Sequence, residues 1–194
     1  MTKPTDYPSE CDYFTLYVTA RHASLVGFAV EAPRPDLTNL ADPDPGRSDT
    51  SYAVGVAAGG LRLQDCRLSS VGCDVEEAQD TSRVYSWGAL QVEGPTARPA
   101  VVGCQLSRGK RAVQWHAGAG GLLEHCTVRG VQGLFLADAS TAPAVRGNTF
   151  RGFWRVIHVS DSVASNWALG DCNDFEDPLA VGGCKTVHDE RKPR

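Results

Sequence analysis

Residues Arg111 to Val128 read RAVQWHAGAGGLLEHCTV, and this stretch decides the fold because the chain repeats its plan on both sides. The frame is Val113-x-Trp115, a Gly-rich turn, then Leu123-x-x-Cys126-x-Val128. The frame recurs downstream, as Leu134-x-Leu136 21 residues on, a turn of small residues, and Val145-x-x-Asn148-x-Phe150 22 residues on. Upstream, Leu90-x-Val92 and Val101-x-x-Cys104-x-Leu106 keep the frame, with Cys104 again 22 residues before Cys126. A fixed period of this size marks a stack of repeats in which each unit buries its apolar face only against its neighbours.

The composition of the unit says what is stacked. Each unit holds two short runs in which apolar residues alternate with polar ones, separated by turns of Gly, Ser and Ala. Alternation over a few residues is the pattern of a strand with one buried face. No unit has helical spacing long enough for a crossover helix, so the strands must pair in parallel with their equivalents in the next unit. The expected fold is all-β, a single-stranded parallel β-helix, or solenoid, of about six coils with two long loop insertions.

Extending the frame outward gives a first coil of Leu16-x-Val18 and Leu25-x-x-Phe28-x-Val30, and a second of Val54-x-Val56 and Leu63-x-x-Cys66-x-Leu68. The position that ends each second run forms a ladder of Phe28, Cys66, Cys104, Cys126, Asn148 and Cys172, at spacings of 38, 38, 22, 22 and 24 residues. Leu169, three positions before Cys172, favours Cys172 over Asn173 as the last rung. The two long intervals place insertions after the ladder strand of the first two coils, at residues 31 to 52 and 71 to 87, so both leave the same side of the stack. Long loops in a compact repeat are usually functional or disordered.

The pattern of Φ-x-Φ, turn, Φ-x-x-Cys/Asn-x-Φ at about 22 residues resembles the right-handed parallel β-helix repeat of the pectin-lyase-like superfamily, over Thr15 to Asp177. A left-handed helix would need a hexapeptide repeat, and none is visible. The resemblance implies right-handed coils and leaves function open. The same architecture carries polysaccharide lyases, hydrolases and epimerases, phage fibres, and the substrate-recognition modules of some F-box ubiquitin ligases. Function has to come from a site.

The domain organisation that follows is an N-terminal tail or cap over residues 1–14, the helix over 15–177, and a tail over 178–194. At 194 residues there is material for one domain with a sizeable core. A formal net charge of −4 argues against nucleic acid as a partner. The opening MTKPTDYPSECDY lacks the apolar centre of a signal peptide, and no apolar run approaches the roughly 18 residues of a membrane span. The expected setting is cytoplasmic, without membrane contact. The exposed coil edges leave end-to-end or homo-oligomeric association open. Of the seven cysteines, Cys66, Cys104 and Cys126 occupy consecutive rungs of the ladder. Stacked strands about 4.8 Å apart would sterically allow a bridge between neighbours, but reduced, buried thiols are the simpler expectation.

Between the inward apolar positions of the first run, outward residues form two columns. One reads Tyr17, Gly55, Gln91, Gln114, Phe135, His158, and the next Thr19, Ala57, Glu93, His116, Ala137, Ser160. This register sets Glu93 beside His116, flanked by Gln91 and Gln114. A carboxylate against an imidazole is an acid/base pair in the making, and these two are the candidate catalytic residues. Hydrolysis by paired carboxylates needs two acids flanking one bond, and the outward columns offer Glu93 alone, with Asp138 and Asp161 in turns. The Gly-His-Gly and Arg-Ile-Lys motifs of the polygalacturonase pattern are absent.

Adjacent His125 and Cys126 face opposite ways on a strand and have no Cys-x-x-Cys partner, so no metal and no cofactor is expected. The later turns carry Arg108, Lys110, Arg111, Arg129, and Arg151 to Arg155, which makes that corner basic. At the returning ends of the insertions, Tyr52, Tyr85 and Trp87 supply rings and Arg83 a guanidinium. With Gln91 and Gln114 they are the candidate binding residues. The expected function is recognition of a protein or polysaccharide through the loop-bearing flank. The alternative is a carbohydrate-active enzyme working at Glu93 and His116.

Overall fold

The computed structural model describes residues 13–33, 50–70, 86–137, 143–163, 166–175 and 185–190. These residues form strands and turns and no helix. The first unit is β1 (Tyr13–Val18), β2 (His22–Val26) and β3 (Ala29–Glu31), and the second is β4 (Thr50–Val56), β5 (Gly60–Gln64) and β6 (Arg67–Ser69). A third comprises β7 (Ser86–Glu93), β8 (Ala100–Val102) and β9 (Gln105–Ser107). Then come β10 (Arg111–His116) and β11 (Leu122–Glu124), β12 (Thr127–Leu136) and β13 (Ala144–Arg146), β14 (Thr149–Val159) with β15 (Asp174–Phe175), and β16 (Lys185–Asp189).

Every strand pairing is parallel. One sheet of five strands runs β13-β11-β8-β5-β2, and a second of eleven contains the path β1-β4-β7-β10-β12-β9-β6-β3 together with β14, β15 and β16. The long strands bend the larger sheet back on itself. The start of β12 pairs with β9 and its end with β10, so a single strand serves both flanks. A register shift between Gly130 and Gln132, where β12 meets β14, marks that corner.

Three apolar columns run through the stack. The first joins Leu16, Val54, Leu90, Val113, Leu134, Ile157 and Val187. The second joins Leu25, Leu63, Val101, Leu123 and Val145. The third joins Val30, Leu68, Leu106, Val128, Phe150 and Phe175. From Val54 to Ile157 the first column is completely buried, as are the middle residues of the other two. Among the described residues the first unit has no neighbour on one side, and there apolar residues surface: Val26 is 54% and Phe28 56% exposed. Phe28, expected as an inward rung, is therefore an end residue.

The ladder itself is a chain of hydrogen bonds running from unit to unit. The N–H of Cys66 donates to Cys104 Sγ, that of Cys104 to Cys126 Sγ, that of Cys126 to Asn148 Oδ1, and that of Asn148 to Asn173 Oδ1. The last rung is Asn173, which corrects the expectation of Cys172. Cys172 is exposed and adopts φ of 60°, and this turn carries the chain one residue further before the rung. The shift brings Phe175 onto the Phe150 ring, 5.7 Å between centroids.

The same left-handed turn precedes every rung, at Gly27, Asp65, Gly103, His125, Gly147 and Cys172. Glycine alternates with a larger residue down this column for a steric reason. A Cβ on Gly103 would sit 2.5 Å from Asp65 Oδ1, and one on Gly147 would sit 2.7 Å from His125 Nδ1. Each side chain lies over the glycine of the next coil.

Residues 178–194, expected as a tail, contain a further strand. β16 pairs with β14 and sets Val187 beside Ile157. A strand of five residues with one apolar side chain in register has no periodicity to betray it. Residues 1–12, which make up most of the expected N-terminal cap, and residues 34–49 and 71–85, which make up most of the two insertions, lie outside the described residues. The insertions connect β3 to β4 and β6 to β7.

Candidate functional site

The outward face of the larger sheet carries the chemistry. The register joins Tyr17, Gly55, Gln91, Gln114, Phe135 and His158 in one column, and sets His116 directly opposite Glu93 in the next. The alternation of β7 and β10 dictates this, since Leu90, Val92, Val113 and Trp115 fill the core.

Glu93 is the centre of the first group. Its Oε1 accepts the Tyr17 hydroxyl at 3.2 Å and its Oε2 accepts Gln91 Nε2 at 3.2 Å. His116 Nε2 stands 3.5 Å from the same Oε2. Tyr17 reaches Glu93 from two strands away because Gly55 lies between them. A Cβ on Gly55 would come within 2.7 Å of Tyr17 Cδ2. Glu93 is 8% and Gln91 1% exposed, whereas His116 and Gln114 are half-buried. Buried Glu93 thus anchors the more accessible His116.

A second group adjoins it. Tyr52 on β4 passes over Gly88, whose Cβ would fall 2.6 Å from Tyr52 Cε1, and donates its hydroxyl to Gln114 Oε1 at 2.8 Å. Arg111 donates to the same oxygen at 3.2 Å and stacks its guanidinium 3.8 Å from the centroid of Phe135. Phe135 meets His158 edge-on at 4.8 Å, and His158 Nε2 lies 3.0 Å from Glu190 Oε1. Burial draws the Arg111 guanidinium below its ordinary pKa, partly offset by the Tyr52 hydroxyl. Lys110 is lowered as well, first by burial and then by the adjoining charge of Arg111. Two cations held this close favour an electron-rich neighbour.

The sequence-expected residues fare differently. Glu93, His116, Gln91 and Gln114 come together. Tyr52 joins them but is completely buried, so it braces Gln114 and does not offer its ring to a partner as expected. Trp87 falls within β7, opposite Ser51, and Arg83 and Tyr85 lie outside the described residues. Of the basic turns, Arg129 and Arg151 stack as exposed neighbours on β12 and β14. Arg111 instead enters the network. Sequence reasoning left Tyr17, Arg111, Phe135, His158 and Glu190 out of the candidate site. Tyr17, Phe135 and His158 were visible as members of the Gln91 column. The contact of Glu190 depends on a strand the periodicity did not show.

The face can donate and accept hydrogen bonds along its length, and at Glu93 and His116 it can move a proton. Glu190 closes the Glu93 column four strand spacings away, about 19 Å. A carboxylate pair for glycoside hydrolysis stands about 5–9.5 Å apart. Among the described residues no group of three or more His, Cys, Asp and Glu side chains could hold a metal ion, and no helix is long and apolar enough to cross a membrane. The chain matches no protein-family model, no curated protein and no solved structure.

Proposed function

We propose that the chain is a right-handed parallel β-helix whose larger sheet binds an extended glycan along its outward face. The handedness rests on the strong preference of parallel β-to-β connections for right-handed crossovers, together with the 22-residue frame of the sequence. The binding reading rests on one observation. The outward positions of β1, β4, β7, β10, β12 and β14 form a near-continuous band of amide, carboxylate, imidazole, guanidinium and aromatic groups, already bonded to one another.

Preformed donors and acceptors backed by rings suit a polyhydroxylated ligand. Such a ligand offers hydroxyls at short intervals and apolar ring faces between them. The outward face of the smaller sheet differs: Arg146 and Glu124 pair there at 2.6 Å with Arg146 58% exposed, an ordinary solvated contact. The glycan would lie across the β4–β7–β10–β12 strands.

A glycan array probed with the intact chain tests this. Binding to a glycan set that falls roughly tenfold or more in Arg111→Ala and Gln114→Ala, with unchanged melting, supports it. If no glycan is retained, or if a retained one is indifferent to both substitutions, the reading fails. A protein captured by the chain would then take the glycan's place. The contact of His116 with Glu93 favours a second reading, proton-transfer catalysis on a bound sugar. It requires turnover that disappears in both Glu93→Gln and His116→Ala while binding persists.

A further inference from the structure

Cys66, Cys104 and Cys126 are free thiols stacked in consecutive coils, each 1–2% exposed. The N–H of Cys66 lies 3.4 Å from Cys104 Sγ, and that of Cys104 lies 3.4 Å from Cys126 Sγ. Each sulfur therefore occupies the position directly over the backbone of the preceding rung. Adjacent strands about 4.8 Å apart set neighbouring Cα atoms within the span of roughly 4.4–6.8 Å that a disulfide bridges. Cys66 and Cys126 are two spacings apart, about 9.6 Å, which is beyond that reach.

We propose that this column is a redox-modification site in which a peroxide closes a Cys104–Cys126 disulfide inside the folded chain. Cys104 is the pivot because it alone has a thiol on each side. Its surroundings also make it the nucleophile. The Cys66 N–H donates to its sulfur at 3.4 Å and its own thiol faces the Val102 carbonyl at 3.4 Å, and with its bond to the neighbouring Cys126 side chain as the largest cause its pKa is lowered to about 7 despite burial. Cys126 is pushed the other way, up, chiefly by that same bond to Cys104 and by burial.

The chemistry balances. The Cys104 thiolate attacks one peroxide oxygen, the O–O bond breaks, and the departing hydroxide takes up the proton lost by the thiol to leave as water. Cys104 is now a sulfenic acid. Cys126 Sγ attacks the Cys104 sulfur, the S–O bond breaks, and the Cys126 proton leaves with the hydroxyl as a second water. Two thiols are oxidised by two electrons and one hydrogen peroxide is reduced to two waters. The bridge joins the unit that carries Glu93 to the unit that carries His116.

The test is to expose the intact chain to hydrogen peroxide under native conditions, alkylate remaining thiols after denaturation, and map the unreduced peptides by mass spectrometry. Circular dichroism confirms that the fold persists. The expected product is a Cys104–Cys126 cross-linked peptide that a thiol reductant reverses. Cys66→Ser should keep that bridge, Cys126→Ser should redirect it to Cys66–Cys104, and Cys104→Ser should leave Cys66 and Cys126 reduced. A folded, oxidised chain in which Cys104 remains a free thiol overturns the proposal, as does a native Cys66–Cys126 bridge. A bridge from Cys104 to Cys66 in the unsubstituted chain overturns the choice of partner.

Discussion

The backbone N–H of Cys126 donates to Asn148 Oδ1 at 2.9 Å, and Asn148 Nδ2 returns bonds to the carbonyls of Leu123 and Arg146 at 3.0 Å each. Cysteine fills the equivalent socket in the preceding coils, where the N–H of Cys104 meets Cys126 Sγ at 3.4 Å. One side chain thus seals the backbone groups of two coils. Asn148→Ala should cost roughly 2–4 kcal/mol, since each buried backbone group left without a partner costs about 1–3 kcal/mol. Asn148→Cys should cost clearly less. Urea unfolding midpoints of the two variants measure the difference, and equal midpoints would show that the rungs do not act as sockets.

Leu123 stands at the centre of the second apolar column, completely buried between Val101 and Val145. Leu123→Ala opens a cavity between the strands stacked on either side of it. A loss of roughly 2–5 kcal/mol is expected, with the larger values if the stack cannot close around the gap. An unchanged melting temperature would contradict this packing.

Gly27 and Gly147 share the left-handed turn, at φ of 72° and 65°, but differ in what lies above them. A Cβ on Gly27 meets nothing within 4 Å, while one on Gly147 meets the His125 ring at 2.7 Å. Gly27→Ala should therefore cost only the backbone term of roughly 1–2 kcal/mol, and Gly147→Ala more. In the background of His125→Ala the excess should vanish. A double-mutant cycle by denaturant unfolding reads this coupling directly.

Gly55→Ala probes the candidate site. Its Cβ would enter the space of the Phe14 ring at 2.4 Å and of Tyr17 at 2.7 Å, so both rings should shift and Tyr17 should release its bond to Glu93. Overpacking of this kind typically costs about 1–3 kcal/mol. In the glycan assay the substitution should weaken binding with the core spectrum unchanged. Tyr17→Phe serves as the control that removes the hydroxyl alone. If Gly55→Ala binds and melts like the parent, Tyr17 does not bridge to Glu93.

Sequence by itself determined the three apolar columns, because strand residues alternate with a period of two and the units recur at 21 to 23 residues where no insertion intervenes. Those two periods fix which side chains face inward and which strands pair. Leu90 beside Val113, Leu123 beside Val145, and Glu93 beside His116 all follow from counting. The ladder of Cys66, Cys104 and Cys126 followed in the same way, as did their burial.

The tertiary structure alone decided what counting cannot reach. Asn173 replaced Cys172 as the last rung because a left-handed residue changes the direction of the chain, and a period in sequence records numbers of residues rather than dihedral angles. β16 emerged because its pairing is provided by β14 and not by any pattern of its own. At the candidate site, alternation specified the face of each residue but not the reach of its side chain. Tyr17 crosses Gly55 to Glu93, Tyr52 is buried beneath its contact with Gln114, and Arg111 lies on Phe135, each through contacts between strands far apart in sequence. Such long side chains choose among several rotamers of similar energy, and only the neighbours that the fold brings up select one.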